Sequence, residues 1–183
     1  LWGQHMEYKY RYPSDKTAFI ALDIPRSDLN NTQRDIVAHY DNATRWNDEV
    51  VDRILLHFAQ QDALVIYFSD HGEEGYDAGV NAYGRLHDEQ PSATVIRNEY
   101  EVPFMIWGSH KFRQRHPDLF AQIQSAKHRP FSHDDLPHLL LGISGISTPY
   151  YQPQRDPLSP KFQPQRRLLR VKIDYDAALQ RQK

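Results

Sequence analysis

The residues best equipped for chemistry stand together at Ser69-Asp70-His71-Gly72-Glu73-Glu74. A carboxylate oxygen and an imidazole nitrogen are both good ligands for a divalent cation such as zinc, and adjacent side chains converge on one ion when the backbone turns. Gly72 permits that turn. Glu73 and Glu74 add carboxylate that serves a second ion or orients a ligand. The same residues also have a purely structural reading, in which Asp70 and Glu73 cap a following helix and His71 faces solvent. Position argues for chemistry, because the motif directly follows Ala63-Leu64-Val65-Ile66-Tyr67-Phe68, a run apolar on both faces. Open α/β sheets gather their ligands past the carboxyl ends of such strands.

The elements that must position this motif follow from periodicity. From Thr32 to about Gln60, Ile36, Tyr40, Ala43, Asn47, Val50 and Ile54 recur at helical steps, with Thr32 and Asp35 at capping-box spacing. A helix followed by a doubly apolar strand is half of a βαβ unit, so the class is α/β and the helix is expected to pack across a buried strand. Val102 to Trp107 reads as a further strand, with Pro103 confining it to an edge or to its first residues. Ser132 opens another helix that ends near Gly145, and the Pro-rich stretch from Thr148 to Pro164 reads as an extended surface loop. Near the end, Leu169, Val171, Ile173 and Tyr175 alternate with charged residues, the period of a half-exposed strand.

Composition narrows the function classes. The 183 residues are roughly one domain at about 150 per domain. Lys and Arg total 22 against 24 Asp and Glu, a formal charge of −2, so no basic field exists to hold nucleic acid. With no Cys, disulfides and thiolate ligands are absent, which suits periplasm and cytosol equally. No apolar stretch reaches membrane-spanning length. The sequence starts at Leu1 in what reads as the end of a strand, so a fragment of a longer protein is expected.

Four further segments accompany the Asp-His-Gly motif. Gly3-Gln4-His5-Met6-Glu7-Tyr8-Lys9-Tyr10-Arg11-Tyr12-Pro13 carries a Gly-x-His ahead of a Tyr- and Arg-rich Tyr-Pro segment, and Tyr40-Asp41-Asn42-Ala43 with Asn47-Asp48 marks a polar-faced helix. Tyr83-Gly84-Arg85-Leu86-His87 bears another His, and Val102-Pro103-Phe104-Met105-Ile106-Trp107 follows it. In this order and spacing the chain resembles the C-terminal part of the catalytic domain of bacterial phosphoethanolamine transferases, members of the alkaline phosphatase and sulfatase superfamily.

The resemblance implies a fragment, spanning 1–183, of an alkaline phosphatase-like α/β/α sandwich with a mostly parallel sheet. It implies metal-dependent transfer of phosphoethanolamine from phosphatidylethanolamine to lipid A or a related envelope glycan, at the periplasmic face of the bacterial inner membrane. Asp70 and His71 would be ligands of a catalytic zinc. His5 and His87 would line the neighbouring substrate or second-metal site as catalytic groups, with Glu73 supporting it. One or two zinc ions are implied, or another divalent metal such as calcium in a sulfatase-like enzyme. The family's nucleophile is a Thr outside this chain, since Thr17, Thr32, Thr44, Thr94 and Thr148 sit in none of the right motif; the membrane anchor would also lie upstream. Two alternatives stand beside this reading: a sulfatase or phosphomonoesterase of the same superfamily, and a non-catalytic module whose histidines bind adventitious metal or nothing.

Other polar residues have plainer readings. His39 and His57 are expected to be solvated on the long helix, Asp134 and Asp135 beside His133 and His138 to be helix caps, and Arg166, Arg167 and Arg170 to form a solvated face rather than a lipid contact. Asn42 and Asn47 need partners if buried.

Overall fold

The structure, a computed structural model, describes residues 5–79, 81–86 and 88–180. In chain order the helices and strands are α1 (Asn31–Phe58), β1 (Leu64–Phe68), β2 (Glu74–Gly75), β3 (Tyr83–Gly84), α2 (Ala93–Tyr100), β4 (Phe104–Gly108), α3 (His110–Arg115), α4 (Pro117–Ala126), α5 (Leu136–Ser144), β5 (Leu168–Leu169), β6 (Ile173–Asp174) and α6 (Tyr175–Gln180). They group into two compact units rather than one: Leu1–Ala59 with Glu73–His87, and Gln60–Gly72 with Asp88–Lys183.

The first unit is organised on α1. Its capping box sits two residues earlier than Thr32: Asn30 accepts the Gln33 N–H at 3.0 Å, and the Gln33 side chain returns to the Asn30 N–H at 2.8 Å. Gln33 is long enough to close that loop, which the shorter Asp35 is not. The expected stripe is the sheltered face, from half-buried Ile36 to buried Ala43 and half-buried Ile54. Beside it lies Asn42, only 1% exposed, the most consequential polar residue of the helix. Asn42 Oδ1 accepts the N–H groups of Ala18 at 2.7 Å and Phe19 at 2.9 Å, and Nδ2 donates to Phe19 O at 2.8 Å and to the Tyr12 hydroxyl at 3.2 Å. One amide thereby ties the segment before the helix to the helix itself. His39 is bound as well, its Nδ1 lying 2.8 Å from the Tyr12 hydroxyl.

The second unit is built on an antiparallel pair, β1 with β4, in register from Leu64 opposite Gly108 to Phe68 opposite Phe104. The described strands make three two-stranded antiparallel sheets, and the mostly parallel sheet implied by resemblance is not shown. An apolar run reads the same whichever direction its neighbour takes, so periodicity could not tell the two apart. The run expected to be buried is half-buried along Leu64–Tyr67 and exposed at Phe68. The core lies beneath it, where Leu64, Phe104 and Ile106 pack on Ile123, Leu139 and Leu158. Ser109 caps α3 by accepting the Phe112 N–H at 3.0 Å while its hydroxyl donates to Gln61 O at 2.5 Å.

Three expectations are corrected in this unit. The segment 148–164 is not merely a surface loop, because Asp156, Leu158 and Ser159 are buried, with Asp156 accepting from Leu158 N–H and Tyr151. Burial, then the Asp156 carboxylate, pushes the Tyr151 phenol up to about 12. The single terminal strand is a hairpin, since Arg170 and Val171 both adopt positive φ and Lys172 N–H closes on Leu169 O at 3.1 Å. Alternation continues through such a turn and conceals it. Asp135 is not a side-chain cap but a buried partner of Arg155 at 2.6 Å, while α5 ends as expected at Gly145 in the left-handed region. Arg166 pairs with Asp174, Arg167 with Asp176, and Arg170 donates to Asp88 O.

Removing the Asn42 amide tests the first unit. Asn42→Ala removes the buried amide that the Ala18 and Phe19 backbone groups and the Tyr12 hydroxyl bond to, and is expected to cost about 1–3 kcal/mol in the urea unfolding of the whole protein. Exposed Asp48→Ala on the same helix is expected to change stability by less than about 0.5 kcal/mol. Equal effects would show that the amide is not the tie.

Candidate metal centre

Past Phe68 the chain is held residue by residue. The Ser69 hydroxyl donates to His71 O at 2.6 Å, and the His71 N–H donates to Asp70 Oδ1 at 3.1 Å. The His71 ring nitrogen Nδ1 lies 3.0 Å from Gly72 O. A carbonyl only accepts, so this contact puts the proton on Nδ1 and leaves Nε2 as the ligating nitrogen, the orientation that metal-bound imidazoles take from their outer partners. Nε2 stands 3.8 Å from Asp70 Oδ2. Two ligands of one tetrahedral zinc lie roughly 3.4 Å apart, so the pair is close to a shared-ion separation. Asp70 presents 87% of its side chain to solvent and His71 19%.

What fixes this turn is α2, which sequence reading did not identify. The Gly72 N–H donates to Glu99 O at 2.9 Å, satisfying one of the carbonyls that a helix leaves open in its last turn. A Cβ on Gly72 would run into the carbonyl of Asn98 in the same turn. Ser92, accepting the Val95 N–H at 3.3 Å, starts that helix, and Val95, Ile96 and Glu99 are buried. The signal was present as a Ser cap before Ala93-Thr94-Val95-Ile96, but eight residues are too few to show a clear helical period.

The helix-capping reading of Asp70 and Glu73 fails in this form, because the short strand β2 follows the motif instead of a helix. The turn-capping role falls to buried Glu74, which accepts the N–H groups of Asp77 and, at 2.7 Å, of Ala78.

Glu73 and His5 belong to the first unit. Tyr8, buried in a 3-10 turn over Tyr8–Tyr10, donates its hydroxyl to Glu73 Oε2 and meets the Tyr40 ring edge-on at 5.2 Å. Burial, then the hydrogen bond to Glu73, raises the Tyr8 pKa, and burial, then the Glu73 charge, raises that of Tyr40. Both phenols therefore remain neutral, and Tyr8 is a donor to Glu73. His5 is exposed, and its carbonyl accepts Arg11 Nε at 2.7 Å while Met6 O accepts Arg11 Nη2 at 2.9 Å. His87 lies outside the described residues. Nothing in the spacing of the Tyr-rich segment marks the Tyr8 contact, because Glu73 lies 65 positions further along the chain.

Among the described residues no group of three or more His, Asp or Glu side chains converges as a metal cage. The structure thus joins Asp70 to His71, and separately Tyr8 to Glu73. The donor set fits zinc at the first pair: a carboxylate and an imidazole oriented through its other nitrogen supply two of the three protein ligands a catalytic zinc uses.

The sulfatase family pattern matches residues 1–146. The phosphoethanolamine transferase EptC of Escherichia coli K12 is 33% identical over 96% of this chain and 31% of its own length. The crystal structure of the C-terminal periplasmic domain of E. coli EptC superposes with a TM-score of 0.79 at 34% identity, covering 95% of this chain and 50% of that one. The same domain in complex with Zn gives 0.77 at 31% identity, covering 95% and 49%. The chain therefore spans about a third of the curated relative and half of the crystallised domain. It belongs to the sulfatase family and, within it, to the phosphoethanolamine transferases.

Proposed function

We propose that this chain is the C-terminal part of a periplasmic, metal-dependent enzyme that transfers phosphoethanolamine from phosphatidylethanolamine to lipid A or a related envelope glycan. The observation that carries the reading is the Asp70–His71 pair, oriented by the Nδ1 contact to Gly72 O and by the lock of Gly72 onto α2. The transferase names of the relatives favour transfer over hydrolysis of a sulfate or phosphate ester.

In this reading Asp70 and His71 hold zinc, which when bound supplies charge neutralisation for phosphoryl oxygens and activation of a hydroxyl nucleophile. His5 and His87 serve the substrate or a second metal, each able to carry a proton to the leaving alkoxide at a ring nitrogen. Glu73 orients substrate. The nucleophile is a Thr from outside this chain, and a membrane anchor outside it brings the enzyme to its lipid donor.

Three measurements test the proposal. In the whole protein, Asp70→Asn and His71→Ala are each expected to lower both zinc content and transfer rate by at least about a hundredfold while leaving the unfolding temperature of the zinc-free form unchanged. Gly72→Ala places a methyl against Asn98 O, so a chelator competition should show zinc affinity weakened about 10- to 100-fold. The 183-residue chain by itself is expected to transfer no phosphoethanolamine. A His71→Ala enzyme retaining zinc and rate, or turnover by the isolated chain, would overturn the assignment.

A further inference from the structure

Within that functional reading, we propose that Tyr8 is a positioning residue that sets the Glu73 carboxylate for substrate. Tyr8 holds Oε2 through its hydroxyl, whereas Oε1 receives no hydrogen bond among the described residues. No Lys, Arg or His among them lies within ion-pair distance of Glu73 either. Held at Oε2 by the phenol, the carboxylate turns Oε1 toward a cationic or hydrogen-bond-donating group of the substrate.

The backbone around Glu73 does not need the phenol. The buried Glu74 carboxylate secures the following turn, and Arg26 reaches Asp77 Oδ1 at 2.7 Å and Tyr76 O at 3.1 Å. The Tyr8 ring is itself held by Tyr40 and by Tyr83, the latter at 5.9 Å between centroids. Deleting the hydroxyl therefore releases the carboxylate and leaves both the ring and the strand in place.

The test is a double-mutant cycle in the whole, zinc-loaded protein with Tyr8→Phe, Glu73→Gln and their combination, reading kcat and KM for transfer from phosphatidylethanolamine together with zinc content and unfolding temperature. Tyr8→Phe is expected to lower kcat/KM about tenfold at unchanged zinc content, and to have no further effect once Glu73 is Gln. Equal losses in both backgrounds would assign Tyr8 a structural role, and a Tyr8→Phe enzyme with wild-type kcat/KM would give it none; either overturns the proposal. If wild-type protein shows no transfer, the functional reading falls and the proposal with it. Wild-type transfer without coupling sinks the Tyr8 proposal alone.

Discussion

Gly72 has room for a hydrogen and nothing larger on its α-carbon, and its N–H is committed to Glu99 O. That close approach decides how the chain leaves β1. A helix end must give its last carbonyls a partner, and α2 finds one in the turn that carries Asp70 and His71. The same turn supplies the carbonyl of Gly72 to His71 Nδ1, so the ring that would ligate a metal is oriented by the residue that is locked. Structural need and ligand orientation are met by one residue pair, which is why no bulkier side chain at position 72 is compatible with both.

The acidic residues that follow show how environment divides one chemical type among several tasks. Asp70 is open to solvent beside an imidazole, Glu73 is half-buried and held by a phenol, Glu74 is buried and built into a turn, and Asp77 pairs with Arg26. Buried Glu74 has the partners that a buried polar group requires, because the N–H groups of Asp77 and Ala78 donate to its carboxylate. The polar cluster of Asn42, Tyr12 and His39 does the equivalent work for the N-terminal segment, with every strong bond of the amide used.

Sequence alone disclosed the long helix, the two five-residue strands and the end of α5, because each rests on a local pattern, a sustained period, an apolar run or a helix-ending glycine, and it singled out Asp70 and His71 as candidates because they are adjacent ligand types. It did not disclose what long-range pairing decides. The direction of β4 against β1 depends on a partner 40 residues away. Asp135 looked like a cap and is an ion-pair partner of Arg155, and the turn at Arg170 and Val171 hides because neither residue is a usual turn former. The helix α2 behind the Asp70–His71 turn and, separately, the Tyr8 hydroxyl on Glu73 are obscured for the same reason: a short helix lacks period, and a tyrosine's partner 65 positions on leaves no trace in spacing.

The measurement that tests the central claim most directly is anomalous diffraction at the zinc edge from crystals of the whole protein grown with zinc. The account predicts an anomalous peak bonded to His71 Nε2 and an Asp70 carboxylate oxygen at about 2.0–2.2 Å, with Nδ1 still on Gly72 O. A zinc peak elsewhere, with Asp70 and His71 uncoordinated, would contradict it.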